Sequence, residues 1–231
     1  MSNRHSAIVI SPFQRKRRDS REGTRAELLE AAGHVFAQKG FDRATGKEIC
    51  LRAGANSAAI NYYFGGIDGL YAAALEEANQ RLVPLEALSA ALAGKTDARA
   101  KLQALLELVA DKLVGPISSS WAFGVFSREI TAPSPAIEAL VETQGLQKAR
   151  IMKSIVGELM ALPEDHPAVA RGCVSVIAPL ILLFLTDRRM LKRLFPNFGF
   201  GRGDAKALAR HTLHFALAGL AAVARDARKE S

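Results

Sequence analysis

Apolar residues return every three or four positions along most of the chain, in short stretches separated by glycine and proline. Leu28, Ala32, Val35 and Phe36 make the first stripe, which is the spacing of one helix face. Thr24 with Glu27 three residues on forms a capping box, so this helix is expected to start at Thr24, and Gly40 stops it after Lys39. Thr45 with Glu48 repeats the signal and predicts a second helix to Ala53, ended by Gly54. Asn56 caps a third, very short helix over 57–64, which Gly65-Gly66 closes. A fourth opens near Asp68 and carries Leu70, Ala74, Leu75, Ala78 and Leu82 on one face, weakened later by Pro84. Helical patterns then cover 97–113, 118–131, 135–162, 167–186 and 204–228. Breaks fall at Gly94, Gly115-Pro116, Ala132-Pro133-Ser134, Pro163 and the glycine-rich stretch 196–203. No segment alternates with period two for long enough to be a strand, and no internal repeat occurs. The pattern predicts an all-α chain: a flexible basic arm over 1–23, a three-helix head over 24–70 and a larger helical body over 71–231.

Composition narrows the class. Hydrophobic residues make up 49% of the 231 positions and charged ones 23%, which excludes a wholly disordered chain. The two cysteines, Cys50 and Cys173, form no CxxC and no Cys/His cluster, which argues against a disulfide scaffold and a structural zinc and suits a reducing cytoplasm. The run Cys173–Leu185 is thirteen residues long, with Arg171 before it and Asp187, Arg188 and Arg189 after. Spanning a bilayer takes roughly 20 residues, so the run reads as a buried helix and no membrane partner is expected. The apolar stretch Ala7–Ile10 precedes its basic cluster and is too short for a secretory signal. A cytoplasmic protein is expected.

No catalytic set emerges. His34, His166, His211 and His214 are scattered, and there is no GxSxG, P-loop or HExxH. Neither an enzyme, a metal site nor a cofactor is expected.

Charge points to an anionic partner. The formal net charge is +8. Arg4, Arg15, Lys16, Arg17, Arg18 and Arg21 stand against Asp19 and Glu22 in the first 23 residues, which hold half of that excess. Such an arm is either a solvated tail or a contact to nucleic-acid phosphate.

The segment 45–64 favours the second reading. A helix of about eight residues ends at a glycine, turns tightly and restarts at Asn56, the geometry in which a second helix enters the major groove of DNA. Ile60 and Phe64, four apart, face Val35, Phe36 and Ile49. Ser57, Ala58 and Asn61 share another face with Tyr62 at its edge. Small groups allow close approach to the bases, and the Asn61 amide matches an adenine edge. Short helical hairpins also occur in many enzymes, so this geometry alone leaves a purely structural role open.

The string Thr45-Gly46-Lys47-Glu48-Ile49-Cys50-Leu51-Arg52-Ala53-Gly54-Ala55-Asn56, followed by Ser57-Ala58-Ala59-Ile60-Asn61-Tyr62-Tyr63-Phe64, resembles the DNA-binding domain of the TetR family of transcriptional regulators. The likeness reaches back through Leu28–Phe41 and forward through Gly69-Leu70-Tyr71. The tokens Asn61-Tyr62-Tyr63-Phe64-Gly65-Gly66 and Arg128-Glu129…Pro133-Ser134-Pro135 look like the subgroup with a CecR-like C-terminal domain. The resemblance implies that Thr45 and Gly46 open a phosphate site at a helix N-terminus and that Lys47 reaches a base or the backbone. It puts Ser57, Ala58 and Asn61 at base-reading positions and Tyr62 and Tyr63 against phosphate and thymine methyl groups. Tyr63 reads equally as core filler beside Ile60. One departure stands out: the family commonly has a lysine at the start of the fourth helix, and this chain has Ile67-Asp68. Residues 24–70 also balance five basic side chains against five acidic, so Arg15, Lys16, Arg17 and Arg18 are expected to supply phosphate contacts that the head lacks.

The same resemblance assigns the body to dimerisation and effector binding. The last two long helices carry Val174, Ile177, Ile181 and Leu185 on one stripe and Leu208, Leu213, Leu217, Leu220 and Val223 on another. A two-fold seam in which these helices pair with their copies, centred on Ile177, Ile181, Leu185, Leu213, Leu217 and Leu220, is expected; the alternative is burial in a monomeric core. Trp121, Phe123, Phe126 and Arg128 lie together in a chain with only 6% aromatic residues. They are the expected wall of an apolar effector pocket with Arg128 as its polar anchor, against a bland reading as core with an Arg128–Glu129 surface pair. The expected function is a dimeric, ligand-responsive regulator binding a pseudo-palindromic double-stranded DNA operator, a repressor released by a small apolar or aromatic molecule. The alternative is an architectural DNA-binding protein without sequence choice.

Overall fold

The computed structural model describes residues 12–114, 120–201 and 203–229, with side chains from Glu22 onward. Every regular element among them is helical, as expected. The chain divides into two compact units at Ala74/Leu75, inside a helix, rather than after Leu70.

The first unit is built from α1 (Pro12–Lys39), α2 (Gly46–Ala53), α3 (Ala59–Phe64) and the start of α4 (Ile67–Leu82). Helix α1 begins at Pro12, not at Thr24, so residues 12–23 of the expected flexible arm are helical. The stretch lacks an apolar stripe but is rich in Arg, Lys, Gln and Glu, which favour helix without periodicity, and proline suits a first turn. Residues 1–11 of that arm lie outside the described residues, as do the side chains of Arg15, Lys16, Arg17 and Arg18. Leu28, Val35, Phe36, Ile49 and Leu70 are the fully buried centre of this unit. Tyr71 meets the Phe36 ring edge-on at 4.8 Å and the Phe41 ring at 4.9 Å, closing α4 over α1. Gly69 is required where it stands, because a Cβ there would run into the Phe64 carbonyl oxygen.

The second unit holds the end of α4, then α5 (Leu85–Leu92), α6 (Ala98–Val114), α7 (Trp121–Thr131) and α8 (Pro135–Leu140). A π turn over Val141–Gly145 leads into α9 (Leu146–Met160), followed by α10 (Pro167–Leu185), α11 (Arg188–Leu194) and α12 (Asp204–Ala227). The pattern over 135–162, expected as one helix, is therefore interrupted, and α11 was not expected. Helix α6 lies along α12 at the centre, with α9 and α10 against both. Gly172 lets α10 come close: a Cβ there would sit 2.8 Å from Leu220 Cδ2 and 3.1 Å from Val156 Cγ1. With 19 residues at a mean hydropathy of 2.2, α10 is longer than its charge-free run suggested, and α12 reaches 1.3. Both are long and apolar enough to cross a membrane by composition, yet both supply core positions here: Val169, Val176 and Leu180 from α10, Ala209, Leu213 and Leu220 from α12.

Candidate functional site

The turn between α2 and α3 is held by local chemistry. Thr45 caps α2, its hydroxyl accepting from the Glu48 N–H at 3.3 Å. The Glu48 carboxylate turns to Lys39 Nζ at 2.6 Å instead of completing the capping box. Gly54 takes the left-handed conformation (φ 62°, ψ 26°) and the Ala55 N–H returns to the Cys50 carbonyl at 2.9 Å, a reversal open to glycine at no steric cost. The Cys50 thiol reaches the Asn56 carbonyl across 3.5 Å, and burial pushes that thiol's pKa up, so it stays protonated. Asn56 Oδ1 accepts from the Ala58 N–H at 2.9 Å, which starts the next helix. Helix α3 begins at Ala59, slightly later than expected, because 57 and 58 complete the turn.

Ile60 is buried beneath α3 and approaches α2 so closely that a Cβ on Gly46 would stand 3.3 Å from Ile60 Cδ1. That anchoring leaves Ser57, Ala58, Asn61 and Tyr62 exposed on the other side. Thr45 and Lys47 are exposed and Gly46 half-buried at the start of α2. Tyr63 is half-buried, its ring edge-on to Tyr62 at 4.8 Å. The Arg25 guanidinium covers the Phe64 ring at 5.1 Å. Periodicity gave no role to Leu51, which is 82% exposed and one turn from Lys47 on α2.

In the second unit, a cavity of about 680 Å³ opens among the end of α4 and α5, α6, α7, α9 and α10. Of the expected wall residues, Phe123 and Phe126 line it and meet Phe184 of α10, with ring centroids 3.7 Å and 6.4 Å apart. The other two expected wall residues do not line it. Trp121 is buried, with the Arg81 guanidinium 4.6 Å over its ring. Arg128 is half-buried away from the lining, and Glu129 lies in the interior rather than on the surface: it is 4% exposed and accepts from the Ser134 N–H at 3.0 Å, holding the turn into α8. Positions one residue apart on a helix point about 100° from each other, so only part of a clustered aromatic segment can face one cavity.

The polar groups of the lining went unrecognised in the sequence. They are Asn79, Lys112, Lys148 and Lys153, with the Cys173 thiol. Lys148 Nζ donates to Asn79 Oδ1 at 2.7 Å, and Asn79 Nδ2 donates to Gln144 Oε1 at 2.6 Å. Lys112 Nζ reaches the Arg81 carbonyl at 3.4 Å. Burial pulls the Lys148 ammonium below its usual range, with the exposed Glu86 carboxylate acting the other way. Burial also pushes the Cys173 thiol up, opposed by Lys153.

The expected dimer residues separate into different environments. Leu213 and Leu220 are 3% and 5% exposed and belong to the core. Leu217 is half-buried against it. Ile177 and Ile181 line the cavity, and Leu185 is 36% exposed. Two members of the expected stripes are exposed, Val223 at 44% on α12 and Val174 at 67% on α10, the latter also lining the cavity; Phe215 at 74% on α12 and Leu182 at 63% on α10, outside those stripes, are exposed as well. Helix α12 thus has two apolar faces, and the leucine-rich one turns inward.

Comparison with known proteins accords with this division. Residues 28–74 match the family model described as bacterial regulatory proteins, tetR family. Residues 98–223, more than half of the chain, match that of the C-terminal domain of the HTH-type transcriptional dual regulator CecR. The chain is 28% identical over 164 residues to the HTH-type transcriptional regulator BetI of Paraburkholderia phytofirmans, covering 70% of this chain and 79% of BetI. It is 29% identical over 149 residues to the probable HTH-type transcriptional regulator YttP of Bacillus subtilis, covering 62% and 70%. Among solved structures, the transcriptional regulator FadR of Bacillus subtilis, in complex with stearoyl-CoA, superposes with a TM-score of 0.62 at 17% identity, over 84% of this chain and 98% of FadR.

Proposed function

The chain belongs to the TetR family of DNA-binding transcriptional regulators, in the group with a CecR-type C-terminal domain, and from that membership we propose that it is a cytoplasmic homodimeric repressor that leaves its operator when a small, largely apolar molecule fills the body cavity. The observation that supports this most is the cavity itself. About 680 Å³ walled by leucine, valine and phenylalanine is a volume that a close-packed interior does not leave without use, and a protein that only coats DNA has no need of it.

In this reading α3 enters the major groove. Asn61 pairs with an adenine edge, while Ser57 and Ala58 are small enough for the helix to sit close. The N–H groups of Thr45 and Gly46, with Lys47, take phosphate, and Tyr62 and Tyr63 flank the same strand. Lys39 is already neutralised by Glu48 at 2.6 Å, which leaves the head poor in free positive charge. Arg15, Lys16, Arg17 and Arg18 supply the missing counterion release.

Two such heads reach half-sites one turn apart only as a dimer. The outward apolar faces of α10 and α12, around Val174, Leu182, Phe215 and Val223, are the seam proposed here, in place of the buried Leu213 and Leu220. The effector acts by binding one head spacing better than the other, since a ligand shifts an equilibrium only through differential affinity. FadR in complex with stearoyl-CoA is an example of a protein of this fold with a bound apolar ligand.

The test is fluorescence anisotropy of labelled duplexes at about 0.15 M salt, comparing the protein's own upstream region with random sequence. A preference of roughly a thousandfold or more is the expected result. Equal affinity for both duplexes favours architectural coating and overturns the proposal.

A further inference from the structure

Resting on the reading of the cavity as an effector site, we propose that its ligand is an amphipathic anion, a single carboxylate or comparable acid on an apolar body, and that Lys148 is the counter-ion that selects it.

The charge of the wall is the first ground. Three lysines, Lys112, Lys148 and Lys153, line a cavity whose other side chains are apolar except for Asn79 and the Cys173 thiol, and no Asp, Glu or His is among them. No ion pair among the described residues engages any of the three. Ammonium groups set against an apolar wall cost free energy unless paired. A ligand that brings its own negative charge relieves that cost, whereas a neutral one seals the cations in without a partner.

The second ground is the fixed position of one of them. Lys148 is half-buried and donates to Asn79 Oδ1 at 2.7 Å. Asn79 is 4% exposed, and its amide nitrogen is committed to Gln144 Oε1 at 2.6 Å. The ammonium, which can only donate, sets which way the Asn79 amide lies, because the reverse orientation puts NH₂ against it. An ammonium has three donors. Asn79 takes one, and the lysine stands in the cavity wall with the others available. Gln144 belongs to the π turn that interrupts the helix here, a distortion that recurs at functional sites. Burial already pulls the Lys148 ammonium below its ordinary range, and a carboxylate beside it reverses that pull.

Size and balance set the class. The volume lies within the roughly 300–1,000 Å³ typical of small-molecule sites. A polyanion such as a nucleotide would set most of its charge against leucine and phenylalanine, so one acidic head on a long apolar body fits best.

The experiment displaces the neutral dye Nile red from the intact protein with three probes of equal chain length: decanoate, 1-decanol and decylammonium. Decanoate is expected to compete at a concentration about 10- to 100-fold below decanol, the worth of one charge-assisted hydrogen bond, with decylammonium weakest. Lys148→Met should remove the advantage of decanoate and leave decanol within about twofold of its original affinity, because the substitution takes away the charge and keeps the apolar stem. Lys148→Arg should retain the advantage. Decanol matching decanoate on the unmodified protein overturns the anion assignment while the cavity reading stands, and an advantage that survives Lys148→Met overturns Lys148 as the counter-ion. If Lys148→Met does not fold, the comparison on the unmodified protein decides alone. Failure of Nile red and all three probes to bind overturns both the proposal and the effector reading beneath it.

Discussion

Phe215 and Leu213 lie two positions apart on α12 and face different ways, so truncating each in turn separates dimerisation from folding. Phe215 leaves 74% of its surface exposed in the single chain, about 150 Å² for a side chain of this size. Covered across a two-fold axis, that area contributes about 3–4 kcal/mol per protomer at roughly 25 cal/mol per Å². Phe215→Ala removes most of it. Symmetry counts the loss twice, giving about 4–6 kcal/mol per dimer, or roughly three to four powers of ten in the dimer dissociation constant. Leu213 is 3% exposed inside the core. Leu213→Ala therefore leaves a cavity and costs about 2–5 kcal/mol of folding stability without touching the outward face. Sedimentation over a range of concentrations reads the first effect, and thermal melting followed by circular dichroism reads the second. A Phe215→Ala protein that sediments as the unmodified chain does, beside a folded Leu213→Ala protein that dissociates, would refute the reasoning and return the seam to the leucine stripe.

Asn61→Ala should cost about 1–3 kcal/mol of specific affinity and relax one base-pair preference per half-site, measured on operator and random duplexes; equal losses on both would remove Asn61 from base reading. Replacing Arg15, Lys16, Arg17 and Arg18 together by alanine should reduce the slope of log K against log salt by about 0.9 for each phosphate no longer neutralised, and an unchanged slope would make these residues bystanders. Gly69→Ala should destabilise the head by about 1–3 kcal/mol, because its Cβ meets the Phe64 backbone oxygen and no side chain can yield there. Amide exchange in α1 to α3 is the readout, and unaltered protection would show that α4 shifts to accept the methyl group.

The parts of the fold legible in the sequence were those written by short-range chemistry. Thr45, Gly54 and Asn56 act on backbone groups within a few positions of themselves, so the turn between α2 and α3 could be placed from residue types alone. Position relative to distant elements could not. The start of α1 was missed because residues 12–23 favour helix by propensity and carry no stripe for periodicity to detect. On α12, Leu213 and Phe215 both belong to apolar faces, and only the packing of α6 decides that the first is covered and the second is not. The cavity's polar groups were given no role from the sequence, yet three of them carried a signal. Asn79 interrupts the Leu75–Leu82 stripe, Lys112 continues Leu105 and Val109, and Lys148 stands one turn before Met152. A polar residue in register with an apolar face is the pattern that marks them.

The central claim is that this chain reads sequence through a symmetric pair of heads. It is tested most directly by selecting the fragments of the source genome that the purified protein retains and sequencing them. The account predicts convergence on a short inverted repeat with half-sites about 10 base pairs apart or a multiple of that spacing. Retained fragments that share no motif and follow only length and salt would contradict it.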